Sequence, residues 1–335
     1  MSADRRLRLG FAGLGWIGVH RMKALLHDAQ VEAAAFCDSS EEALTRAKDC
    51  APDARIVNRF DDLLAHDLDG LVIATPSAQH AEQTIAALGA GLPVFCQKPL
   101  GRTADETRAA VNAARRANRL LHVDFSYRFT TAAQKIRALI AGGELGEIFA
   151  CDLTFHNAYG PDKAWFYDLN KSGGGCVMDL GVHLVDLALW MLPGAQVEQA
   201  SALLFRGGAP LARPPVAVED YGAAELRLNT GAQVRIACSW NLHAGCDAVI
   251  SADFHGAKGG ARLRNVKGSF YDFRAMRLSG TGSETLCEPP DEWGGRAAVH
   301  WARTLAQSTR FDPAADSLVR VAEAIDAIYG RNATG

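Results

Sequence analysis

The sequence predicts an α/β protein: an N-terminal, doubly wound parallel sheet, then a second α/β domain on an open-faced, largely antiparallel sheet. Three observations predict it. The 335 residues are about twice the usual length of one domain. Over the first third, short apolar runs alternate with helix-like segments. After Phe129, longer runs with a two-residue alternation take over. The boundary falls at 127/128, giving domains 1–127 and 128–335.

In order, apolar runs at 7–12, 31–37, 70–74, 93–96 and 120–125 read as strands. They are continuous rather than alternating because strands of a parallel sheet are covered on both faces. Helix-like segments at 16–27, 41–50, 77–90 and 103–118 separate them. Ser77 suits a helix cap, and Thr103 with Glu106 three residues on suits a capping box. A further helix at 131–141 leads to strands at 148–156, 197–205, 221–228, 234–242, 249–254 and 270–278. Val234, Ile236, Cys238, Trp240 and Leu242 fall on one face of theirs. Asn229-Thr230-Gly231 is a hairpin turn. Helices are expected at about 175–191 and 314–329, and 206–215 reads as a loop.

Composition narrows the function. Lys and Arg number 35 against 38 Asp and Glu, so no basic surplus exists to neutralise phosphates, and a nucleic-acid partner is not expected. The eight cysteines form no C-x-x-C pair and read as free thiols of a cytoplasmic protein. No run of 18 apolar residues suggests a membrane span, because His183 and Asp186 interrupt 180–192.

Gly13-Leu14-Gly15-Trp16-Ile17-Gly18 is a G-x-G-x-x-G that follows an apolar strand and opens a helix. In that context glycines allow a tight turn and close approach of a dinucleotide's pyrophosphate to free N–H groups at the helix start. Asp38, twenty positions after Gly18, ends the second strand, with Ser39 and Ser40 behind it and no arginine before Arg46. A carboxylate there binds ribose hydroxyls and repels a 2′-phosphate, which favours NAD over NADP. Asp38 as a mere cap of the next helix is the competing reading. Thr75 and Pro76 end a strand at the carboxyl edge where ligands of such sheets bind, and His80 follows, as a ligand contact or as a helix residue.

Two further constellations point to chemistry. Pro99 keeps Lys98 out of the helical region, so the lysine projects from the end of the strand predicted at 93–96. A solvated surface lysine is the alternative. In the stretch 173–186, Asp179 and His183 are four apart and share a helix face, with Asp186 three further. A plain helical ion pair, or a core histidine, is the alternative there. The three glycines before this helix have no expected packing purpose and are read as room for a close approach. No third ligand at suitable spacing suggests a metal.

Together, the glycine motif, Ala74-Thr75-Pro76 with His80, Gln97-Lys98-Pro99 and the D-x-G-x-H-x-x-D of 179–186 resemble the Gfo/Idh/MocA (glucose-fructose oxidoreductase, inositol dehydrogenase) family. The likeness covers essentially the whole length. It implies a Rossmann dinucleotide-binding domain, then a substrate and oligomerisation domain. It also implies NAD(P)-dependent oxidation of a secondary hydroxyl on a sugar, cyclitol or related polyol, and a homodimer or homotetramer through the open sheet face. Lys98, Asp179 and His183 become the catalytic trio, and a cis Lys98–Pro99 bond is expected. Gly13, Gly15, Trp16, Ile17, Gly18, Asp38, Ser39, Thr75, Pro76, His80, Gln97, Lys98 and Ser126 become cofactor contacts. Gln97 departs from the family's usual Glu, and Ser126 from its usual Asn. Tyr127, Arg128, His156, Tyr159 and Trp165, with Lys98, Asp179 and His183, are the substrate contacts expected, aromatic faces being suited to pyranose or cyclitol rings. Two other functions fit the same residues: an enzyme recycling NAD within each turnover, of glycosidase or dehydratase type, or a non-catalytic ligand sensor.

Overall fold

A computed structural model describes residues 5–28 and 30–331. The chain forms two compact units. One runs to Asp124 and is completed by Gly294–Val319, and the other comprises Phe125–Trp293 and the residues from Arg320 onward. Sequence reasoning drew one crossing near 127, whereas the chain passes between the units three times.

The first unit is a six-stranded parallel sheet of β1 (Leu7–Ala12), β2 (Val31–Cys37), β3 (Arg55–Ile56), β4 (Gly70–Ile73), β5 (Val94–Cys96) and β6 (Leu121–Val123). Its order, β3-β2-β1-β4-β5-β6, reverses between β1 and β4, so the carboxyl ends of those strands flank the crevice where such sheets bind ligands. The connecting helices are α1 (Trp16–His27), α2 (Glu41–Cys50), α3 (Phe60–Leu64), α4 (Ser77–Gly89) and α5 (Ala104–Ala117). Thr103 caps α5 by accepting the Glu106 N–H at 3.2 Å, as expected, but the Glu106 carboxylate accepts the Arg102 N–H (2.7 Å) in place of the return bond to Thr103 that a capping box would make. Ser77 does not cap α4: it is the helix's first residue, behind Pro76.

The second unit begins with α6 (Thr131–Ala141) and continues through β7 (Ile148–Asn157), α7 (Leu169–Ser172) and α8 (Val182–Met191). Its nine-stranded sheet adds β8 (Val197–Arg206), β9 (Ala209–Leu211), β10 (Tyr221–Leu228), β11 (Gln233–Ser239), β12 (Ala248–Gly256), β13 (Gly259–Asn265), β14 (Phe273–Ser279) and β15 (Gly282–Cys287). Only β7 and β11 pair in parallel; the other neighbours are antiparallel. The expected loop at 206–215 contains the edge strand β9.

Two last helices, α9 (Arg296–Gln307) and α10 (Asp316–Tyr329), close the chain. α9 explains the return of 294–319 to the first unit. Ala297, Ala298, Trp301, Ala302 and Leu305 make one buried stripe, and Trp301 packs on Phe95 of β5 at 5.7 Å between rings. A side chain at Gly70 would lie 2.9 Å from Leu305. The stretch Leu169–Met191 is long and apolar enough to cross a membrane by composition, which the sequence reading denied, but 83% of its window is buried inside the protein. Packing accounts for its apolarity.

Candidate active site

In the first unit, β1 runs into the glycine motif. Gly13 takes φ +84°, and a Cβ there would lie 2.4 Å from the Ala74 carbonyl, so only glycine fits. A Cβ at Gly18 would meet the Gly13 oxygen at 2.1 Å. Gly15 differs: a Cβ there would find nothing within 4 Å. No side chain caps α1 and no acidic residue sits in its first turn, so its positive end and free N–H groups suit a ligand phosphate. Trp16 is exposed, Ile17 half-buried and Ser39 exposed around this turn. The Asp38 carboxylate accepts the Leu14 N–H at 2.5 Å and the Ser40 N–H at 2.8 Å. Ser40, not Asp38, caps α2. The exposed turn at Gly15 and the carboxylate ending β2 fit a dinucleotide's pyrophosphate and ribose.

The ends of β4 and β5 are tied by His80. This buried ring lies with Nε2 2.6 Å from the Thr75 carbonyl and Nδ1 2.7 Å from that of Pro99. Carbonyls only accept, so the neutral ring satisfies one of them and the protonated ring both. Burial pushes the imidazole pKa down, against the pull of the two carbonyls. Both nitrogens therefore face backbone carbonyls, and at any one time the neutral ring donates to one of them. The Thr75 hydroxyl donates to Gln83 at 2.7 Å. Lys98 is half-buried, and its bond to Pro99 is cis, as expected. Behind it, Asp124 is 1% exposed, and its Oδ2 accepts from Arg21 Nε at 2.5 Å and from Gln97 Nε2.

In the second unit, Gly173 takes φ +80° at the end of α7. The next two glycines are packed upon: a Cβ at Gly174 would lie 2.0 Å from the Tyr329 hydroxyl, and one at Gly175 1.8 Å from the Glu219 carbonyl. The expectation that these glycines serve no packing purpose is therefore overturned, because what approaches them is the protein itself. The buried Glu219 carboxylate accepts N–H groups of Gly175 (2.9 Å) and Val177 (3.0 Å) and the Tyr329 hydroxyl (2.8 Å). Burial raises its pKa, against those donors.

Val177–Gly181 then forms a π-helical turn before α8, where one continuous α-helix was expected. Such turns re-aim side chains and recur at functional sites. Asp179, half-buried in it, accepts from Trp240 Nε1 at 3.1 Å. His183 is 9% exposed and meets Tyr127 at 4.9 Å and Phe125 at 6.3 Å between rings, both edge-on.

The expected substrate contacts divide. Arg128 is committed to buried Asp186, donating Nε at 2.8 Å and a second hydrogen bond from Nη2. Burial raises the Asp186 pKa against that guanidinium. Tyr127 sits among Phe155, Phe273 and Trp293 as well as His183. Ser126 is buried at the start of the 3₁₀ turn Ser126–Phe129. His156 contacts Ser239 Oγ at 2.7 Å and stacks on Tyr221, and burial lowers its pKa. It alternates with Phe155 along β7, so it faces away from the Phe155–Tyr127–His183 cluster. Tyr159 is exposed beside Phe270. Trp165 stacks on Phe166 at 3.8 Å, and Phe166 and Tyr167 stand edge-on to Trp240. Sequence reasoning missed Trp240 as a partner of Asp179, although the alternation had placed it on one face with Val234, Ile236, Cys238 and Leu242. Glu219 and Tyr329 carried no local signal.

Residues 7–125 match the profile described as oxidoreductase family, NAD-binding Rossmann fold, and 133–262 match the GFO/IDH/MocA C-terminal domain. D-glucoside 3-dehydrogenase of Escherichia coli (strain K12) is 28% identical over 273 residues, 77% of each chain. Inositol 2-dehydrogenase of Rhizobium meliloti (strain 1021) is 28% identical over 269 residues, 78% of this chain and 76% of that one. The solved structure of levoglucosan dehydrogenase in complex with NADH has the same fold, with a TM-score of 0.83 at 22% identity over 98% of this chain and 97% of that one.

Proposed function

The chain belongs to the Gfo/Idh/MocA oxidoreductase family, and from that premise we propose that it is an NAD(P)-dependent dehydrogenase of a sugar, cyclitol or related polyol. One observation carries the cofactor side of this reading: Asp38, hydrogen-bonded by Leu14 and Ser40 at the end of β2, beside the exposed turn at Gly15. The same carboxylate supports NAD over NADP, since Arg46, the first arginine after it, pairs with Glu42.

The chemistry that NAD supplies when bound is uptake of a hydride from a carbinol carbon. The hydroxyl proton must then go elsewhere. His183 takes it as general base, an imidazole being suited to that at working pH. Lys98 holds the hydroxyl oxygen and stabilises its developing negative charge, an electrostatic role that gains strength where water is excluded. Asp179, held by Trp240, orients substrate hydroxyls. Tyr127 and Trp165 remain candidates for the ring-binding aromatics, whereas Arg128 serves by holding Asp186 and so the turn that carries His183. The test is NADH formation with a panel of polyols and sugars. Lys98→Ala and His183→Ala should each lower kcat by about 100-fold or more while NAD binding stays near normal; full activity in either variant removes that residue from the mechanism.

The open face of the second unit's sheet supports a homodimer or homotetramer. Cross-strand register sets Leu203, Ala223, Ala237, Thr154 and Ser251 in one row, and Leu203 is 64% exposed. Ion pairs Arg235–Asp152 and Arg262–Asp253 fill the neighbouring row. A second copy of this chain would cover that band. Leu203→Glu should then shift the light-scattering mass toward the monomer, and an unchanged mass would count against this face. Eight free cysteines support a cytoplasmic location.

A further inference from the structure

We propose that Gln97 is a positioning residue whose neutral carboxamide completes a single-carboxylate tie, Gln97–Asp124–Arg21, that fixes the strand end carrying Lys98 to the helix behind the glycine turn. The proposal rests on the dehydrogenase reading for its kinetic consequence, though not for the tie itself.

The tie joins three elements. Arg21 comes from α1, Gln97 follows β5 and Asp124 follows β6. All three side chains are buried, at 5%, 7% and 1% exposure. Asp124 Oδ2 accepts from Arg21 Nε and from Gln97 Nε2. A carboxylate offers no proton, so the Gln97 amide has one permitted orientation, with nitrogen toward Asp124 and carbonyl oxygen away. The backbone agrees: Asp124 N–H donates to the Cys96 carbonyl at 2.9 Å, clamping the two strand ends just before Lys98.

Charge makes the amide necessary. One guanidinium faces one carboxylate in a buried place, and Asp124 Oδ1 has no hydrogen-bond partner among the described residues. Arg21 Nη1 lies 2.9 Å from His20 Nδ1, an acceptor only while that ring is neutral. Burial and Arg21 lower the His20 pKa, against an opposing pull from Asp124, and Lys23 adds a smaller lowering. From β5, the buried Cys96 thiol is pushed up to about 12 and brings no charge. A second carboxylate at 97 would share the Arg21 guanidinium with Asp124 at hydrogen-bond distance, and the repulsion between the two drives one of them to hold a proton.

The experiment is Gln97→Glu, alone and with Asp124→Asn, read as kcat and as melting temperature from pH 6 to 9. The single variant should lose activity steeply as pH rises, approaching about tenfold for each pH unit beyond the pair's apparent pKa, while KM for NAD moves less. The double variant returns one carboxylate and one amide to the pair and should restore a flat profile. A Gln97→Glu profile parallel to wild type at every pH, or no rescue by Asp124→Asn, would overturn the proposal, since a merely space-filling role predicts both. Should the wild-type protein form no NADH with any substrate, the dehydrogenase reading falls, and the melting temperatures still decide the tie: that of Gln97→Glu must drop with rising pH and that of the double variant must not. If the single variant does not fold and the double variant does, the proposal stands. If neither folds, Gln97→Met decides, with an unchanged kcat and melting temperature overturning it.

Discussion

Two glycine-rich turns open helices in this chain, and they solve one electrostatic problem in opposite ways. At residues 13–18 the helix start carries no side-chain cap, and Gly15 leaves open space beside it. At residues 173–175 the N–H groups of Gly175 and Val177 are taken by a buried carboxylate of the protein, Glu219, and the Tyr329 hydroxyl fills the space above Gly174. A helix start attracts an anion in either case. The first turn leaves its helix start open, and the second is filled by a side chain of the protein itself. Glycine runs of similar appearance therefore carry different meanings, and only the surrounding packing tells them apart.

The largest expected effect comes from adding a methyl group to the plugged turn. In Gly175→Ala the Cβ would stand 1.8 Å from a backbone oxygen of Glu219, and backbone cannot swing aside as a side chain can. We expect a loss of at least ~3 kcal/mol of stability, seen as a fall in melting temperature or in soluble yield. A variant as stable as wild type would mean that the second turn is as open as the first.

A subtler break replaces the internal anion. Because burial raises the Glu219 pKa above its ordinary 4.5, the folded state holds that proton more tightly than the unfolded state. The stability this contributes is fully present below about pH 4.5 and is lost as pH rises through the folded pKa. Glu219→Gln keeps Oε1 as acceptor for the two N–H groups and the Tyr329 hydroxyl but puts an NH2 donor where Oε2 faces the Gly175 N–H, costing about 1–2 kcal/mol at pH 4. That deficit should shrink by pH 8, where only the wild type carries a buried charge. Denaturant titrations at the two pH values check this, and a deficit that grows with pH would show the carboxylate to be preferred as an ion.

The contrast also marks what the sequence can disclose. Strands β1, β2 and β4, the glycine motif and Asp38 were legible because each is specified within about forty residues by local rules of burial, turn geometry and spacing. What was not legible acts at long range. Glu219 reaches the 175–177 turn across 42 residues, and Tyr329 reaches Met178 across 151. The π turn at Val177–Gly181 has no pattern that distinguishes it from α-helix, and α9 rejoins the first unit through a stripe made mostly of alanine around Trp301. Arg128 looked like a ligand arginine because nothing local announces Asp186, 58 positions on, as its partner.

The smallest expected effect on stability belongs to Gly15→Ala, and it is the most telling. Gly15 sits at φ −60° and ψ −177°, a conformation alanine adopts without strain, and its Cβ would touch nothing within 4 Å. The melting temperature of the free protein should stay within the equivalent of about 0.5 kcal/mol of wild type. A phosphate hydrogen-bonded to the start of α1 would, however, approach that same position closely, and one methyl group there would hold it off. NAD affinity, read by titration of protein fluorescence, should fall by about tenfold or more, a loss of ~1.4 kcal/mol. The two readouts thus part company at Gly15 and move together at Gly175. If Gly15→Ala binds NAD as tightly as wild type, the first turn is not the phosphate-binding element, and the distinction between an open and a plugged helix start loses its functional meaning.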